Sequence, residues 1–161
     1  MTSTAPTATT AQFKDSASIR FSGGNSWTEI GTWTASPAGS AQTLTALGDL
    51  GMWLGLKNSD DIGTRFDLRA EVYSNGTLVA SGEMFCITGV TRNPSLAKEV
   101  TVPFGTISSG AFAATDVLSL KVLTRVGTTG GAFCGGHSNA VGLRLYFDAV
   151  SRPSSFAGNF E

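Results

Sequence analysis

One β-hairpin constrains the fold of this chain more than any other segment. Residues 66–73 read Phe-Asp-Leu-Arg-Ala-Glu-Val-Tyr, with apolar and polar side chains in alternation, and residues 77–86 follow as a second arm after Ser-Asn-Gly. A period of two is that of a strand with one buried and one exposed face. The segment therefore predicts a half-buried pair of antiparallel strands.

The turn between the arms determines which side chains meet across the hairpin. A two-residue turn at Asn75 and Gly76 would place Ala70 opposite Ser81, whereas a three-residue loop places Ala70 opposite Ala80. The three-residue loop matches apolar with apolar, because a shift of one residue moves every side chain to the other face. We therefore expect the three-residue loop.

The rest of the chain also has the composition and spacing of short strands joined by turns. Charged residues make up only 14% of the sequence, against a usual share of about 25%, and helical spacing is nowhere sustained. Glycine, proline and asparagine recur at the interval of a strand plus a turn. Further strands are predicted at residues 19–21, 27–33, 42–45, 50–57, 98–104, 117–126 and 141–148, and Pro103 marks an edge strand.

These patterns predict an all-β fold with a single domain. Short antiparallel strands in this number pack as two sheets, and the long connections at residues 86–98 and 127–140 favour a jelly-roll over an immunoglobulin-like sandwich. Residues 1–14 are rich in Ser, Thr, Ala and Pro and have no periodicity, so we expect a flexible or subunit-exchanged arm. The β-sandwich domain is expected at residues 15–161.

Charge and hydropathy exclude two classes of partner. The formal net charge is -1 and no basic stripe is present, so we expect no nucleic acid. No apolar run approaches the roughly 20 residues that span a bilayer, so we expect no membrane insertion. The first dozen residues have neither a basic start nor an apolar segment, so we expect no signal peptide in this chain.

Cys86 and Cys134 are the only cysteines. A bond between them would pin the glycine-rich loop around Cys134 to the sheet, and it would indicate an oxidising compartment. Two unpaired thiols are the alternative. Zinc is disfavoured, because two cysteines and His137 supply at most three ligands without the paired spacing of a zinc site.

Seven segments from residue 50 onward carry a resemblance to known proteins: residues 55–61, 66–72, 86–94, 117–125, 134–140, 143–148 and 151–153. In these segments, across about two thirds of its length, the chain resembles uncharacterised modules of large secreted or surface-attached bacterial proteins. The resemblance implies a non-catalytic extracellular β-sandwich with paired cysteines, and it offers no catalytic residues.

Catalytic chemistry has little support in the sequence. His137 is the only histidine, and its neighbour Ser138 would point away from it on an extended segment. Asp67 and Glu71 could act as a pair of carboxylates in a sugar hydrolase, but on an alternating strand they read as solvated charge on the outer face. We therefore predict that the chain is not an enzyme and needs no cofactor.

Two groups of residues are candidates for ligand binding. Asn58, Asp60 and Asp61 form the densest cluster of oxygen ligands, which could bind calcium, although turn chemistry explains it equally well. Exposed tryptophans offer flat apolar faces to a sugar ring. Trp53 is the better candidate, whereas Trp27 and Trp33 lie six residues apart on one face and could equally belong to the core.

Two functions are compatible with these features. The first is a structural or assembly module, with the arm supplying self-association in a surface appendage or an external particle. The second is a carbohydrate-binding module that uses the tryptophans and a calcium loop. Abundant Ser and Thr, low charge and an unstructured arm favour the first.

Overall fold

The computed structural model describes residues 1, 4–35, 40–105, 107 and 110–161. In this part of the chain regular structure consists of strands and two short 3-10 turns, η1 (Ser59–Asp61) and η2 (Pro94–Leu96), and no helix is long and apolar enough to cross a membrane. The strands are β1 (Gln12–Asp15), β2 (Ile19–Arg20), β3 (Thr28–Thr34), β4 (Gln42–Leu47), β5 (Leu50–Leu56), β6 (Phe66–Ser74), β7 (Thr77–Ile87), β8 (Lys98–Val102), β9 (Gly110–Phe112), β10 (Leu118–Val126), β11 (Thr128–Thr129), β12 (Ala132–Phe133), β13 (Asn139–Ala140), β14 (Leu143–Phe147) and β15 (Gly158–Phe160).

Two four-stranded antiparallel sheets form the body of the molecule. Sheet I has the order β1-β14-β5-β8 and sheet II the order β3-β10-β6-β7. The smaller sheet β15-β4-β9 and the pairs β11-β12 and β13-β2 complete the pairing. The predicted all-β two-sheet sandwich is confirmed. The strand order is compatible with a jelly-roll, whose preference over an immunoglobulin-like topology stays a prediction.

The core lies between the two sheets and follows the alternation in the sequence. Leu54 from β5 and Leu68 from β6 have no exposed surface and belong to one hydrophobic cluster. The alternating apolar side chains of β5, β8, β10 and β14 lie in or against this cluster: Met52, Leu54, Leu56, Val100, Val102, Leu118, Leu120, Val122, Leu143, Leu145 and Phe147. Apolar burial at about 25 cal/mol per Å² stabilises such a layer only if the register keeps these side chains inside.

The turn of the central hairpin differs from the prediction. Asn75 and Gly76 both have left-handed backbones, with φ of 46° and 83°, as a two-residue turn between twisted strands requires. A bulge at Val79 then shifts the register, so that Ala70 lies opposite Gly82. The predicted three-residue loop is wrong, and so is the inward position of Leu78 that it implies, since this side chain is 50% exposed. From Ala80 onward the predicted buried face is right, because the extra residue restores the parity of the pairing.

The first strand begins within the segment predicted as an arm. Residues 12–14 belong to β1, which pairs with β14 at one edge of sheet I. Residues 2 and 3 of the arm lie outside the described residues. The carbonyl oxygen of Ala8 accepts a hydrogen bond from the backbone of Val150 at 2.9 Å. β8 ends sheet I on the other side, so the strand preceding Pro103 is an edge strand as predicted.

Candidate functional site

The outer face of sheet I consists of the side chains that alternate with its core residues. The register places Tyr146 opposite Phe13 on one side and Trp53 on the other, and it places Arg144 opposite Asp15. Three strands thus bring aromatic rings and a cation to one surface. Sequence patterns predicted the outward position of Trp53 but did not identify its neighbours.

These side chains border a shallow cleft of about 420 Å³. The N-terminal arm, η2 and the loop after β14 form its walls. The residues that determine its chemistry are Thr9, Phe13, Ser95, Arg144, Tyr146 and Arg152. The cleft therefore combines an aromatic wall, two guanidinium groups and several hydroxyl groups.

Arg144 is fully engaged within the protein. Its Nε donates to Asp15 Oδ1 at 2.7 Å and its Nη2 to Oδ2 at 2.8 Å, which is the bidentate geometry of a strong ion pair. The hydrogen bonds with Asp15 raise the pKa of Arg144 above its usual value. The guanidinium also stacks on Phe13 at 3.7 Å from the ring centroid. The charge of Arg144 is thus balanced by Asp15.

Arg152 differs from Arg144 in its charge balance. Its Nη1 donates to the carbonyl of Ser151, and its Nη2 donates to the carbonyls of Pro94 and Ser95. The guanidinium lies over Trp53 at 4.5 Å from the ring centroid. Arg152 takes part in none of the ion pairs between described residues. Its hydrogen bonds fix its position, but no carboxylate balances its charge.

Tyr146 lines the same cleft with 5% of its surface exposed. Its hydroxyl group is buried and makes no hydrogen bond of normal geometry with the described residues, although it interacts with Arg144 and adds to the raised pKa of that residue. Leaving a buried hydroxyl unpaired costs about 1–3 kcal/mol, so such groups are rare in folded proteins. Arg152 is therefore the charged group of the cleft that has no carboxylate partner among the described residues.

The three predicted tryptophan platforms lie in different environments. Trp27 lies between Arg69 and Arg125, whose guanidinium groups are 4.4 and 4.3 Å from the ring centroid. Trp33 packs edge-on against Phe147 in the core at 5.4 Å, with Lys14 over its ring at 4.7 Å. Arg152 covers Trp53 as described above.

Trp27 and Trp33 do not share a face, contrary to the prediction. Strand β3 pairs Gly31 with Val122 but Glu29 with Leu123, so Ile30 forms a bulge. The extra residue reverses the parity between the two tryptophans. Trp33 therefore joins the core, whereas Trp27 contacts the outward arginines of sheet II.

The predicted calcium ligands have partners within the protein. Asn58 Oδ1 accepts from the backbone N–H of Asp60 at 3.3 Å and so caps η1. Both carboxylate oxygens of Asp61, which is buried, accept from the backbone N–H of Val141 at 3.1 and 2.9 Å. Groups of three or more acidic, cysteine or histidine side chains that could hold a metal do not occur in the described part of the chain. Calcium binding at this loop stays a prediction.

The predicted disulfide between Cys86 and Cys134 is confirmed, with a Cα–Cα distance of 6.1 Å. Cys86 has a left-handed backbone with φ of 52°. Arg65 donates from Nη1 to the carbonyl oxygen of Cys134. The bond and this hydrogen bond fasten the loop between β12 and β13 to the end of the central hairpin.

Asp67 provides the buried polar centre beside the disulfide. Its Oδ1 accepts from the backbone N–H groups of Cys86 and Thr128 at 2.9 and 2.8 Å. Its Oδ2 accepts from Thr128 Oγ1 at 2.7 Å and from Arg125 Nε at 2.9 Å. The interpretation of Asp67 as solvated outer-face charge is therefore wrong, because the side chain has no exposed surface.

The candidate catalytic groups are not assembled into a site. Glu71 accepts a hydrogen bond from the Tyr73 hydroxyl at 2.6 Å, while Asp67 is buried with its own partners. His137 is exposed on the loop between β12 and β13. These positions bring together neither an acid and a base nor a nucleophile and a base.

Sequence reasoning missed the groups that define the cleft. Sequence patterns place Phe13 in the arm, and they assign no binding role to Tyr146 or Arg152, although both lie in segments that carry the resemblance. The alternation in β14 could have identified Arg144 and Tyr146 as neighbours on one face, since Leu143 and Leu145 are the buried positions. The contact of Arg152 with Trp53 could not be found this way, because it depends on the path of the loop after β14.

Comparisons with known proteins indicate the fold. No family model matches the chain, and no curated protein matches it. A CocE/NonD family hydrolase from Staphylococcus aureus matches 96% of this chain with 11% identity and a TM-score of 0.56. A second crystal structure of a Staphylococcus aureus CocE/NonD family hydrolase gives 12% identity and a TM-score of 0.51.

An aminopeptidase from the marine sediment archaeon Thaumarchaeota archaeon matches 98% of this chain with 7% identity and a TM-score of 0.65. The likeness is one of fold. This chain spans only 33% of the first hydrolase structure and 34% of the aminopeptidase. The comparisons therefore support a β-sandwich of the kind that forms one part of larger enzymes.

Proposed function

We propose that this chain is a non-catalytic, extracellular structural module that self-associates through its N-terminal arm. The observation that supports a non-catalytic role is the state of Asp67, the most buried acidic group described. All four of its hydrogen bonds go to the protein, so it holds the disulfide corner together and offers nothing to a substrate.

The disulfide supports an extracellular location, because such bonds persist in oxidising compartments. The similarity to parts of larger enzymes is one of fold, and fold alone does not carry the activity of those enzymes to this chain. The resemblance to modules of large secreted or surface-attached bacterial proteins adds to this proposal.

The edge of sheet I offers a place for the arm of a neighbouring copy. β8 has no partner on its outer side in the sheet order, and its residues Lys98, Glu99 and Thr101 are exposed. Strand addition at such an edge derives affinity from main-chain hydrogen bonds. The small side chains of the arm would permit a close approach.

Deletion of residues 2–7 tests this proposal, because it leaves β1 and the hydrogen bond of Ala8 in place. We expect the shortened chain to stay folded, with a melting temperature lowered only by loss of the contact of Met1 with Thr34 and the core, but to be monomeric by light scattering, where the full chain is oligomeric. A variant in which residues 2–7 are replaced by Gly and Ser controls for length. A full chain that is monomeric, or association that survives the deletion, would refute the role of the arm.

A further inference from the structure

We propose that Asn75 is a site of spontaneous deamidation, and that a clamp to Asp116 and Val117 sets the rate of this reaction in the folded chain. The clamp consists of the hydrogen bonds that join the Asn75 side chain to these two residues. The proposal concerns the tip of the central hairpin and does not depend on the proposed function.

The tip of the central hairpin combines the two groups that the reaction needs. Asn75 is followed by Gly76, and no other asparagine of the chain precedes a glycine. Both residues are exposed, and the N–H of Gly76 takes part in none of the hydrogen bonds between described residues. Glycine has no side chain to shield its nitrogen. The Gly76 nitrogen is therefore accessible to the Asn75 side chain once that side chain turns towards it.

Deamidation of Asn75 needs water as its only co-reactant. The backbone nitrogen of Gly76 loses its proton and attacks Cγ of Asn75, the bond from Cγ to Nδ2 breaks, and Nδ2 leaves with a proton as ammonia. Water then opens the resulting succinimide ring at either of its two carbonyl groups. The product is aspartate or isoaspartate at position 75, and no enzyme or oxidant is required.

The clamp holds the reacting carbon away from the Gly76 nitrogen. Nδ2 of Asn75 donates to Asp116 Oδ1 at 2.7 Å, and Oδ1 of Asn75 accepts from the backbone N–H of Val117 at 3.0 Å. Asp116 and Val117 precede β10, which pairs with β6 on the side opposite to β7, whereas Gly76 leads into β7. Ring closure therefore has to break both hydrogen bonds and turn the amide group towards the other side of the hairpin.

The product cannot form the same clamp. An aspartate at position 75 has a carboxylate oxygen in place of the Nδ2 donor, which lies 2.7 Å from the Asp116 carboxylate, and like charges at that distance repel. Isoaspartate instead adds one atom to the backbone of a two-residue turn. We expect either product to release the hairpin tip from the start of β10, and neither product reverts to asparagine.

Peptide mapping of the full chain after incubation in mildly alkaline buffer tests the proposal. Trypsin cleaves after lysine and arginine, so it releases residues 70–92, in which Asn75 is the only asparagine. We expect Asn75 to convert about a hundredfold more slowly in the folded chain than in the chain unfolded in guanidinium chloride, because the clamp has to open first. Equal rates in the folded and unfolded chains would overturn the proposal.

Two variants distinguish opening of the clamp from unfolding of the whole chain. Asp116→Ala removes one hydrogen bond of the clamp, so the conversion of Asn75 in the folded chain should become about tenfold faster. Asp67→Ala removes the centre of a buried network at the far end of β6 and leaves the clamp in place, so the conversion should keep the rate of the parent chain. An unchanged rate in Asp116→Ala, or a faster rate in Asp67→Ala than in Asp116→Ala, would overturn the proposal.

A variant that mimics the product tests the release of the hairpin tip. Asn75→Asp should make hydrogen exchange of the Val117 N–H about tenfold faster and leave that of Leu120, in the middle of β10, unchanged. Adding Asp116→Asn places an amide donor opposite the new carboxylate, so the double variant should regain the slow exchange of Val117. Exchange at Val117 that does not change in Asn75→Asp, or that the second substitution does not slow again, would contradict the clamp.

Discussion

The outer faces of the two sheets are built from similar residues, but they differ in how fully those residues form hydrogen bonds and ion pairs with each other. On sheet II, Trp27 lies between Arg69 and Arg125, and the two arginines pair with Glu83 and Asp67. Cations, rings and carboxylates are matched there. On the outer face of sheet II these charged groups and the tryptophan ring therefore satisfy one another, even where they are exposed.

On the outer face of sheet I, by contrast, the charged and polar side chains are not all paired. Arg144 and Asp15 form a matched pair, but among the described residues Arg152 has no carboxylate partner and the Tyr146 hydroxyl makes no hydrogen bond of normal geometry. Unsatisfied buried groups in a native protein mark either strain or a partner. The comparison teaches that capacity for binding is better judged from unmatched groups than from the presence of tryptophan or arginine.

Removal of the disulfide should have the largest effect, because it cuts the covalent tie at the end of sheet II. The bond closes a loop of 48 residues, for which the chain-entropy model gives about 4 kcal/mol of stability. We expect a Cys86→Ser and Cys134→Ser double variant to lose an amount of this order in the free energy of unfolding, measured with denaturant.

The oxidised chain should also be lighter than the reduced chain by the mass of two hydrogens. Equal intact masses before and after treatment with a reductant would contradict the bond and the compartment inferred from it.

The next largest effect is expected for Asp67→Ala on sheet II. The change leaves the buried N–H groups of Cys86 and Thr128 without acceptors and Arg125 without its partner. Breaking a buried network of this kind costs about 3 kcal/mol or more. Glu83→Ala on the same face is the control and should cost at most about 1 kcal/mol, because its pair with Arg69 is partly exposed. Equal effects of the two changes would contradict the assigned role of Asp67.

A smaller effect is expected from crowding the outer face of sheet I. A Cβ atom added at Gly55 would lie 2.7 Å from Cε2 of Tyr146, whereas one added at Gly51 of the same strand would meet only the carbonyl oxygen of Ser155 at 3.8 Å. Gly55→Ala should therefore cost about 1–2 kcal/mol by displacing the tyrosine ring.

Gly51→Ala is the control and should change stability by less than about 0.5 kcal/mol. Equal changes in stability for the two variants would contradict the close contact between Gly55 and the Tyr146 ring.

The sequence predicted the strands and the disulfide because both depend on local pattern or on pairs of rare residues. The alternation in residues 66–73 and in residues 141–148 matches β6 and β14, and the inward sets are buried. Bulges were not predictable in this way. One extra residue at Val79 and one at Ile30 each shift a register, and the second placed Trp27 and Trp33 on different sides.

The candidate site was less predictable than the fold, because it depends on contacts between distant segments. Arg152 contacts Trp53, although nearly one hundred positions separate the two residues in the sequence. Asp67 is buried because residues of β10 and β11 cover it. The alternation marks Asp67 as outward, which is correct for its strand. It carries no information on what packs over that strand afterwards.

The smallest expected effect is the titration of Tyr73 on sheet II. Its hydrogen bond to Glu71, at 2.6 Å, raises its pKa above the ordinary value, with burial and the charge of Glu71 acting in the same direction. Tyr146→Phe leaves Tyr73 as the only tyrosine, since the chain has two, so the phenolate absorbance of that variant reports Tyr73 alone. We expect its midpoint to lie above the ordinary value of about 10.

The sign follows from linkage. A raised pKa means that the folded chain binds the phenolic proton more tightly than the unfolded chain, so this contribution to stability is fully present below about pH 10 and is lost as the pH rises through the folded pKa. Replacing Glu71 by Gln in the Tyr146→Phe background removes the charge and weakens the acceptor, and the midpoint should move down toward the ordinary value. Glu29→Gln, on an exposed side chain of sheet II, should leave it unchanged. An equal shift in both variants would mean that the general charge of the face controls the titration of Tyr73, and not its hydrogen bond to Glu71. That result would weaken the contrast between the paired groups of sheet II and the unpaired groups of sheet I.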